Sequence, residues 1–484
     1  MDRNLTLLTD LYELTMMYGY YRHKIDAKEA VFDMFFRRRP GESAYVIVAG
    51  LEQVIEYINN LKFDEDDIAY LRSLKLFDEP FLKRLEDFRF TGEIYAIPEG
   101  TVAFQNEPLV RVKAPIFEAQ LIETALLNLI NHQTLIATKA SRVVHAAQGD
   151  GVLEFGLRRA QGPDAGIYGA RAAIIGGCVA TSNVMTGKMF DIPVRGTHAH
   201  SWVMSFPDEL TAFRAYAEIF PDSCLLLVDT YDTLRSGIPN AIKVFEELAA
   251  KGYRPVGIRL DSGDLAYLSK KARRMLDDAG FPDAKVFASN DLDETLIWDL
   301  KAQGAAIDMW GVGTKLITSE DNPALGGVYK LVAEYNNGTL EPKIKISENV
   351  AKITTPGYKM VYRLYDKSDG MAIADLITLD EEAVDETKPL TIFDPDEEWK
   401  RMTLTDYTAK PLLVPVFIDG KCVYDCPPLL EIQRYAKSQL ATLWDEYKRI
   451  KNPHVFKVDL SQKLYDLKQN LLGVAGKGNG RGRS

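Results

Sequence analysis

The stretch PVGIRLDSGDLAYLSKKARRML, residues 255–276, changes its repeat in the middle. The first six residues are a short apolar run of the kind that is buried on both faces in a parallel sheet. A polar turn follows at Asp261, Ser262, Gly263 and Asp264. Beyond it Leu265, Leu268, Ala272 and Met275 recur at helical spacing and share one side. A strand, a polar turn and an amphipathic helix make one half of a βαβ unit.

The same alternation continues in both directions. VLEFG (152–156) precedes a helix from about residue 168, and FDIPVRG (190–196) precedes one from 208. CLLLVD (224–229) precedes a helix near 238–250, where Ile238, Ala241, Ile242, Phe245 and Leu248 share a side. KVFAS (285–289) leads into 291–303, and IDMWGVG (307–313) ends the series. Repeated units of this kind favour a closed or nearly closed barrel over an open sheet. The predicted fold class is therefore α/β: an irregular parallel α/β barrel over 126–335, with an N-terminal α+β domain over 1–125 and a C-terminal α+β region over 336–472. Residues 473–484, GVAGKGNGRGRS, are Gly-rich and are predicted to be a disordered tail. At the other end, Asp10 and Glu13 have capping-box spacing for a helix over 10–21, with Leu11, Leu14, Tyr18 and Tyr21 as its apolar stripe and Tyr12 beside it. Further helices are predicted near 50–60, 64–74, 78–87 and 427–449.

Composition narrows the function classes. A chain of 484 residues exceeds one ordinary core, and its net charge of -11 leaves nucleic-acid binding dependent on a local basic face, so none is expected. Four cysteines are too few for a disulfide framework in a chain this long and point to a reducing, cytoplasmic compartment. Cys422 and Cys426 have no second close Cys/His pair to complete a zinc site and read as ordinary thiols. No apolar run reaches membrane-spanning length and the N-terminus does not read as a signal peptide.

In parallel α/β folds ligands bind beyond the carboxyl ends of the strands. Those positions hold Arg158 and Arg159; Thr197, His198 and His200; Asp229; Asp261, Ser262 and Asp264, with Arg259 on the strand itself; Asn290; and Gly311, Gly313, Thr314 and Lys315. Each has an ordinary explanation as a cap, a turn or a solvated face. Together they suit a polyanionic substrate. Arginine forks and Gly-rich turns ahead of a helix bind phosphate or carboxylate, and the carboxylates could hold Mg²⁺ through water. His198 and His200 remain open to three readings: a metal pair, buried ring donors, or one reactive imidazole beside a bystander. A transition-metal site would need further ligands, and His23, His132, His145 and His454 follow none of these strands. A neutral imidazole can attack a phosphoryl group.

Six ordered stretches make the chain resemble the nicotinate phosphoribosyltransferase family: LLTDLYELTMMYGY (7–20), LEFGLRRAQGPDAG (153–166), TSNVMTGKMFDIPVRGTHAHSW (181–202), GIRLDSGDL (257–265), ASNDLDE (288–294) and DMWGVGTKLIT (308–318). The resemblance implies transfer of phosphoribosyl from phosphoribosyl pyrophosphate to nicotinate, giving nicotinate mononucleotide and pyrophosphate, coupled to hydrolysis of ATP as co-substrate with Mg²⁺. It implies that His200, fifth in GTHAH, is phosphorylated, while His198 stands where the family varies. It implies nicotinate contacts at Tyr12, Thr197, Arg259 and Phe155. Arg158, Asn290, Gly311, Gly313 and Thr314 are implied phosphoribosyl pyrophosphate contacts, with Asp261 catalytic and Asp229 and Asp261 on Mg²⁺. It also implies a homodimer in which the first helix serves the neighbouring subunit's site. A nicotinamide-using relative, a metal-dependent barrel hydrolase and a catalytically silent barrel acting as a binding partner are the competing readings.

Overall fold

The structure is a computed structural model and describes residues 3–349 and 352–479. The chain divides into two compact units, Ile136–Pro323 and the combination of Met1–Leu135 with Ala324–Ser484.

The first of these contains the strands β1 Gly151–Glu154, β2 Ala180–Thr181, β3 Leu225–Leu227, β4 Gly257–Leu260, β5 Lys285–Asn290 and β6 Met309–Val312. All pair in parallel, in the order β2-β1-β6-β5-β4-β3. That is the cyclic order of a barrel with one seam left unpaired. Among the described residues no ladder joins β2 to β3, so the expected closed or nearly closed barrel is seen as an α/β sheet with a gap. The sequence predicts the seam badly because FDIPVRG is not a strand. Pro193 has no N–H to give a ladder, and the segment makes one isolated bridge, Val194 to Thr181. The ladder position goes to the two-residue β2. The other units follow the predicted alternation, with helices Glu209–Ile219, Ile238–Ala250, Leu265–Asp278 and Glu294–Ala302. Asp208, Asp264 and Asp293 each cap the helix that follows by accepting a backbone N–H, which gives these polar residues a structural role.

The second unit is built on a seven-stranded sheet that mixes both ends of the chain. Strand Gly327–Asn336 pairs with Glu29–Phe36, and Val414–Ile418 pairs with Glu93–Ala96, all antiparallel. The segments read separately as 1–125 and 336–472 thus share one sheet, a long-range pairing that local periodicity does not reveal. The first helix, Leu11–Arg22, has the predicted capping box but turns a different face inward. Glu13, Leu14 and Met17 are buried and Leu11 is half exposed. Glu13 goes in because its carboxylate accepts the Thr124 N–H and hydroxyl at 2.9 and 2.6 Å, while burial pushes its pKa up to about 7. The helix predicted over 427–449 is split into Leu429–Ala441 and Asp445–Lys448. Helix Gln462–Asn479 runs into the predicted tail, whose residues 480–484 lie outside the described residues. No helix among the described residues is long and apolar enough to cross a membrane.

Candidate functional site

A cavity of about 560 Å³ lies within the β1–β6 unit. Its wall includes Ala180 of β2 and Leu225 of β3, so it is bounded by both edge strands of the unpaired seam. Leu153, Phe155, Phe287 and Ala288 supply apolar surface, and Arg195, Thr197, Asp222, Ser223 and Arg259 supply polar groups. A mostly apolar cavity of this size with few polar groups suits a small organic ligand.

The polar groups are organised by three strand ends. Arg259, on β4, donates through one terminal nitrogen to Thr197 Oγ1 at 2.6 Å and through the other to Asp261 Oδ1 at 3.4 Å. Its Nε is buried and has no hydrogen-bond partner among the described residues. A guanidinium with an unmet buried donor favours an anionic ligand. Asp261 Oδ1 also accepts from the hydroxyl of Ser289, the penultimate residue of β5. Burial works to raise the Asp261 pKa, but the Ser289 hydrogen bond and the charge of Arg259 outweigh it and hold the carboxyl below its ordinary value.

Beside this group, His200 opens the helix His200–Met204. Its Nδ1 is 3.1 Å from Thr230 Oγ1, and its Nε2 is 3.7 Å from Asp261 Oδ2. The ring is therefore held at one nitrogen by a neutral hydroxyl and faces a carboxylate with the other. Asp229, at the end of β3, accepts the Asp261 N–H at 2.8 Å and the Ser262 hydroxyl at 2.6 Å through Oδ2, while its Oδ1 is buried. Asp229 thus shapes the loop that carries Asp261.

The structure brings Thr197, His200, Arg259, Asp261, Phe155 and Gly311 together. Gly311 is required by packing: a Cβ there would lie 2.6 Å from the Phe155 ring. Arg158, in the turn Leu157–Arg159, is exposed, as is Asn290 at the last position of β5. Gly313 caps the short helix Thr314–Ile317. These four residues follow the same strand ends and, like His200 and Asp261, do not line the cavity. Asn290 has φ 150°, a rare backbone value for a residue with a side chain. Tyr12 belongs to the other unit, where the residue is 45% exposed.

His198 and His200 do not form a metal pair. His198 Nε2 accepts the Leu227 N–H, and no group of three or more His, Cys, Asp or Glu suited to a metal occurs among the described residues. Thr230, Ser289 and Glu154 are missing from the sequence-derived set. Thr230 and Ser289 stand next to Asp229 and Asn290 at strand ends, so the strand-end rule already reached their neighbours. Glu154 is fully buried and accepts from the Gly156 N–H and the Thr181 hydroxyl, tying the turn after β1 to β2.

Three family models match the chain in order: the nicotinate phosphoribosyltransferase N-terminal domain over residues 7–131, the nicotinate phosphoribosyltransferase family over 151–352, and the nicotinate phosphoribosyltransferase C-terminal domain over 358–468. A nicotinate phosphoribosyltransferase of Bacillus subtilis is 52% identical over 467 residues, covering 96% of this chain and 95% of the relative. The Homo sapiens nicotinate phosphoribosyltransferase is 33% identical over 523 residues, 96% of each chain. The crystal structure of human nicotinic acid phosphoribosyltransferase superposes with a TM-score of 0.84 at 31% identity, covering 96% of this chain and 100% of that one. Similarity of this kind over nearly the full length of both chains leads to one conclusion: the chain belongs to the nicotinate phosphoribosyltransferase family.

Proposed function

We propose that the protein transfers phosphoribosyl from phosphoribosyl pyrophosphate to nicotinate and couples the transfer to ATP hydrolysis through a phosphate carried on His200. The observation that carries the reading is Arg259, with its unmet buried donor and its 2.6 Å bond to Thr197, on the wall of a mainly apolar cavity that also holds Arg195, Asp222 and Ser223, with His200 beyond it. Nicotinate supplies a flat ring for Phe155 and a carboxylate for Arg259 and Thr197. Nicotinamide would offer the guanidinium no negative charge beyond that of Asp261, so the site favours the acid.

At His200 a proton on Nδ1 bonded to Thr230 Oγ1 leaves the Nε2 lone pair free to attack the terminal phosphorus of ATP. The N–P bond forms as the bridging P–O bond breaks, and ADP leaves. Asp261 then faces a phosphorylated ring, and like charges at that distance repel. Asp261 and Asp229, with substrate phosphates, would hold Mg²⁺, which would supply charge balance there. In the transfer step the nicotinate nitrogen bonds the anomeric carbon as its bond to pyrophosphate breaks. Arg259 and Thr197 contribute by orienting the base. Arg158, Asn290, Gly313 and Thr314 are read as holding phosphoribosyl pyrophosphate, since backbone N–H groups at strand ends suit phosphate. The exposure of Tyr12 supports its reading as a stacking face in a homodimer, and the small number of cysteines supports a reducing, cytoplasmic compartment.

Incubating the purified protein with phosphoribosyl pyrophosphate, ATP, Mg²⁺ and either base tests this reading. Nicotinate mononucleotide and pyrophosphate should appear, with kcat/KM for nicotinate exceeding that for nicotinamide by at least about 100-fold, the value of a buried charge-assisted contact near 3 kcal/mol. Preference for nicotinamide would overturn the substrate assignment. A second expected result concerns shape. Gly311→Ala drives the Phe155 ring into the cavity, so the KM for nicotinate should rise about tenfold, a cost of about 1.4 kcal/mol, with the KM for phosphoribosyl pyrophosphate little changed.

A further inference from the structure

His198 lies on the seam, and its surroundings define what it does there. Strand β3 pairs with β4 along one edge, Leu227 opposite Arg259. Its other edge has no strand partner among the described residues. Leu227 is fully buried, and a buried backbone N–H needs an acceptor. That acceptor is His198 Nε2, at 3.3 Å. The second nitrogen of the ring, Nδ1, is 3.4 Å from the carbonyl oxygen of Ala199. A carbonyl accepts only, so Nδ1 bears the proton and Nε2 the lone pair. The ring is 8% exposed and is held edge-on to Tyr216, with centroids 4.7 Å apart. Burial is the main cause that brings its pKa down to about 4. The Ala199 hydrogen bond opposes the shift, and the nearby charges of Arg259 and His200 reinforce it. The carbonyl of His198 meanwhile accepts the Thr197 hydroxyl at 3.1 Å, which turns the Thr197 oxygen lone pair toward Arg259.

We propose that His198 is a positioning residue: its imidazole takes the place of the strand missing at the seam, and by gripping Leu227 it fixes its neighbours Thr197 and His200 on the cavity and beside Asp261. The inference rests on the functional reading above for what those neighbours do, and on the geometry alone for how they are held. A ring that only filled space would be replaceable by any apolar side chain of similar size. A ring that works as an acceptor is replaceable only by another acceptor.

Two variants separate these roles. His198→Leu keeps apolar volume and removes the acceptor; His198→Gln restores an acceptor of similar reach. Expected for His198→Leu is a rise of about tenfold in the KM for nicotinate and an equal slowing of His200 phosphorylation, with the KM for phosphoribosyl pyrophosphate changed less than about twofold. His198→Gln should recover both to within about threefold of wild type. An unchanged nicotinate KM in folded His198→Leu, or a His198→Gln as impaired as His198→Leu, would overturn the proposal. Should His198→Leu fail to fold, the wild-type protein labelled with ¹⁵N-histidine decides. One ring should show a protonated Nδ1 and a bare Nε2, with no titration above about pH 5. A protonated Nε2, or titration of every ring near pH 6.5, would overturn it. Wild-type protein that makes no nicotinate mononucleotide would instead overturn the functional reading, and the ring measurement would still test how His198 is held.

Discussion

Replacing His200 with alanine should abolish acid-labile phosphate on the protein and ATP hydrolysis together, while slow transfer from phosphoribosyl pyrophosphate to nicotinate persists without ATP. The geometry separates the two activities. His200 lies against Thr230 and Asp261, while the base is read as held by Arg259 and Thr197, which His200 does not touch by any hydrogen bond. Phosphorylation can accelerate transfer only by changing the affinities of substrates and products, and such couplings are typically about 1–3 kcal/mol. The kcat/KM of His200→Ala at saturating ATP should therefore fall about 5- to 150-fold and become equal to its value without ATP. Rapid-quench measurement of phosphoenzyme, with steady-state rates in both conditions, checks this. Phosphate retained on the variant would move the carrier elsewhere.

Arg259→Ala should have a comparably large effect on a different parameter. It removes the guanidinium that bonds Thr197 and Asp261 and that carries the unmet Nε donor. Losing a charge-assisted contact to a buried carboxylate costs about 1.5–3 kcal/mol, so the KM for nicotinate should rise about 10- to 150-fold and the discrimination against nicotinamide should collapse. ATP hydrolysis in the absence of base should change little. Equal losses in base affinity and in ATP turnover would mean that Arg259 serves mainly to set the Asp261 loop.

Much of this was legible along the chain because the signals are local. The change of period at Asp261 marks the end of β4, and the same polar punctuation follows each of the longer strands. The strand-end rule then collects Arg259, Asp261, His200 and Asp229 without reference to any relative. What stayed hidden depends on partners far away in sequence. The two residues of β2 are too few to show a period, and the gap beside them exists only in three dimensions. Pairing of Val414–Ile418 with Glu93–Ala96 joins segments that read as separate domains. Leu11 looks like part of an apolar stripe until Thr124 offers Glu13 two donors and turns the helix. Asp229 reads as a cation ligand by its position; one of its oxygens holds the loop of Asp261, and the other is buried with no hydrogen-bond partner among the described residues. His198 and His200 share the motif spacing of a metal pair, and the free edge of β3 assigns them different tasks.

The account depends most on the cavity between β2 and β3 being where the base binds, with the phosphate carrier next to it. A crystal structure of the protein with nicotinate tests that directly. The account predicts the pyridine ring against Phe155 in the seam cavity, with its carboxylate within hydrogen-bond distance of both Arg259 and Thr197. Nicotinate bound elsewhere, or bound there with its carboxylate turned away from Arg259, would contradict it.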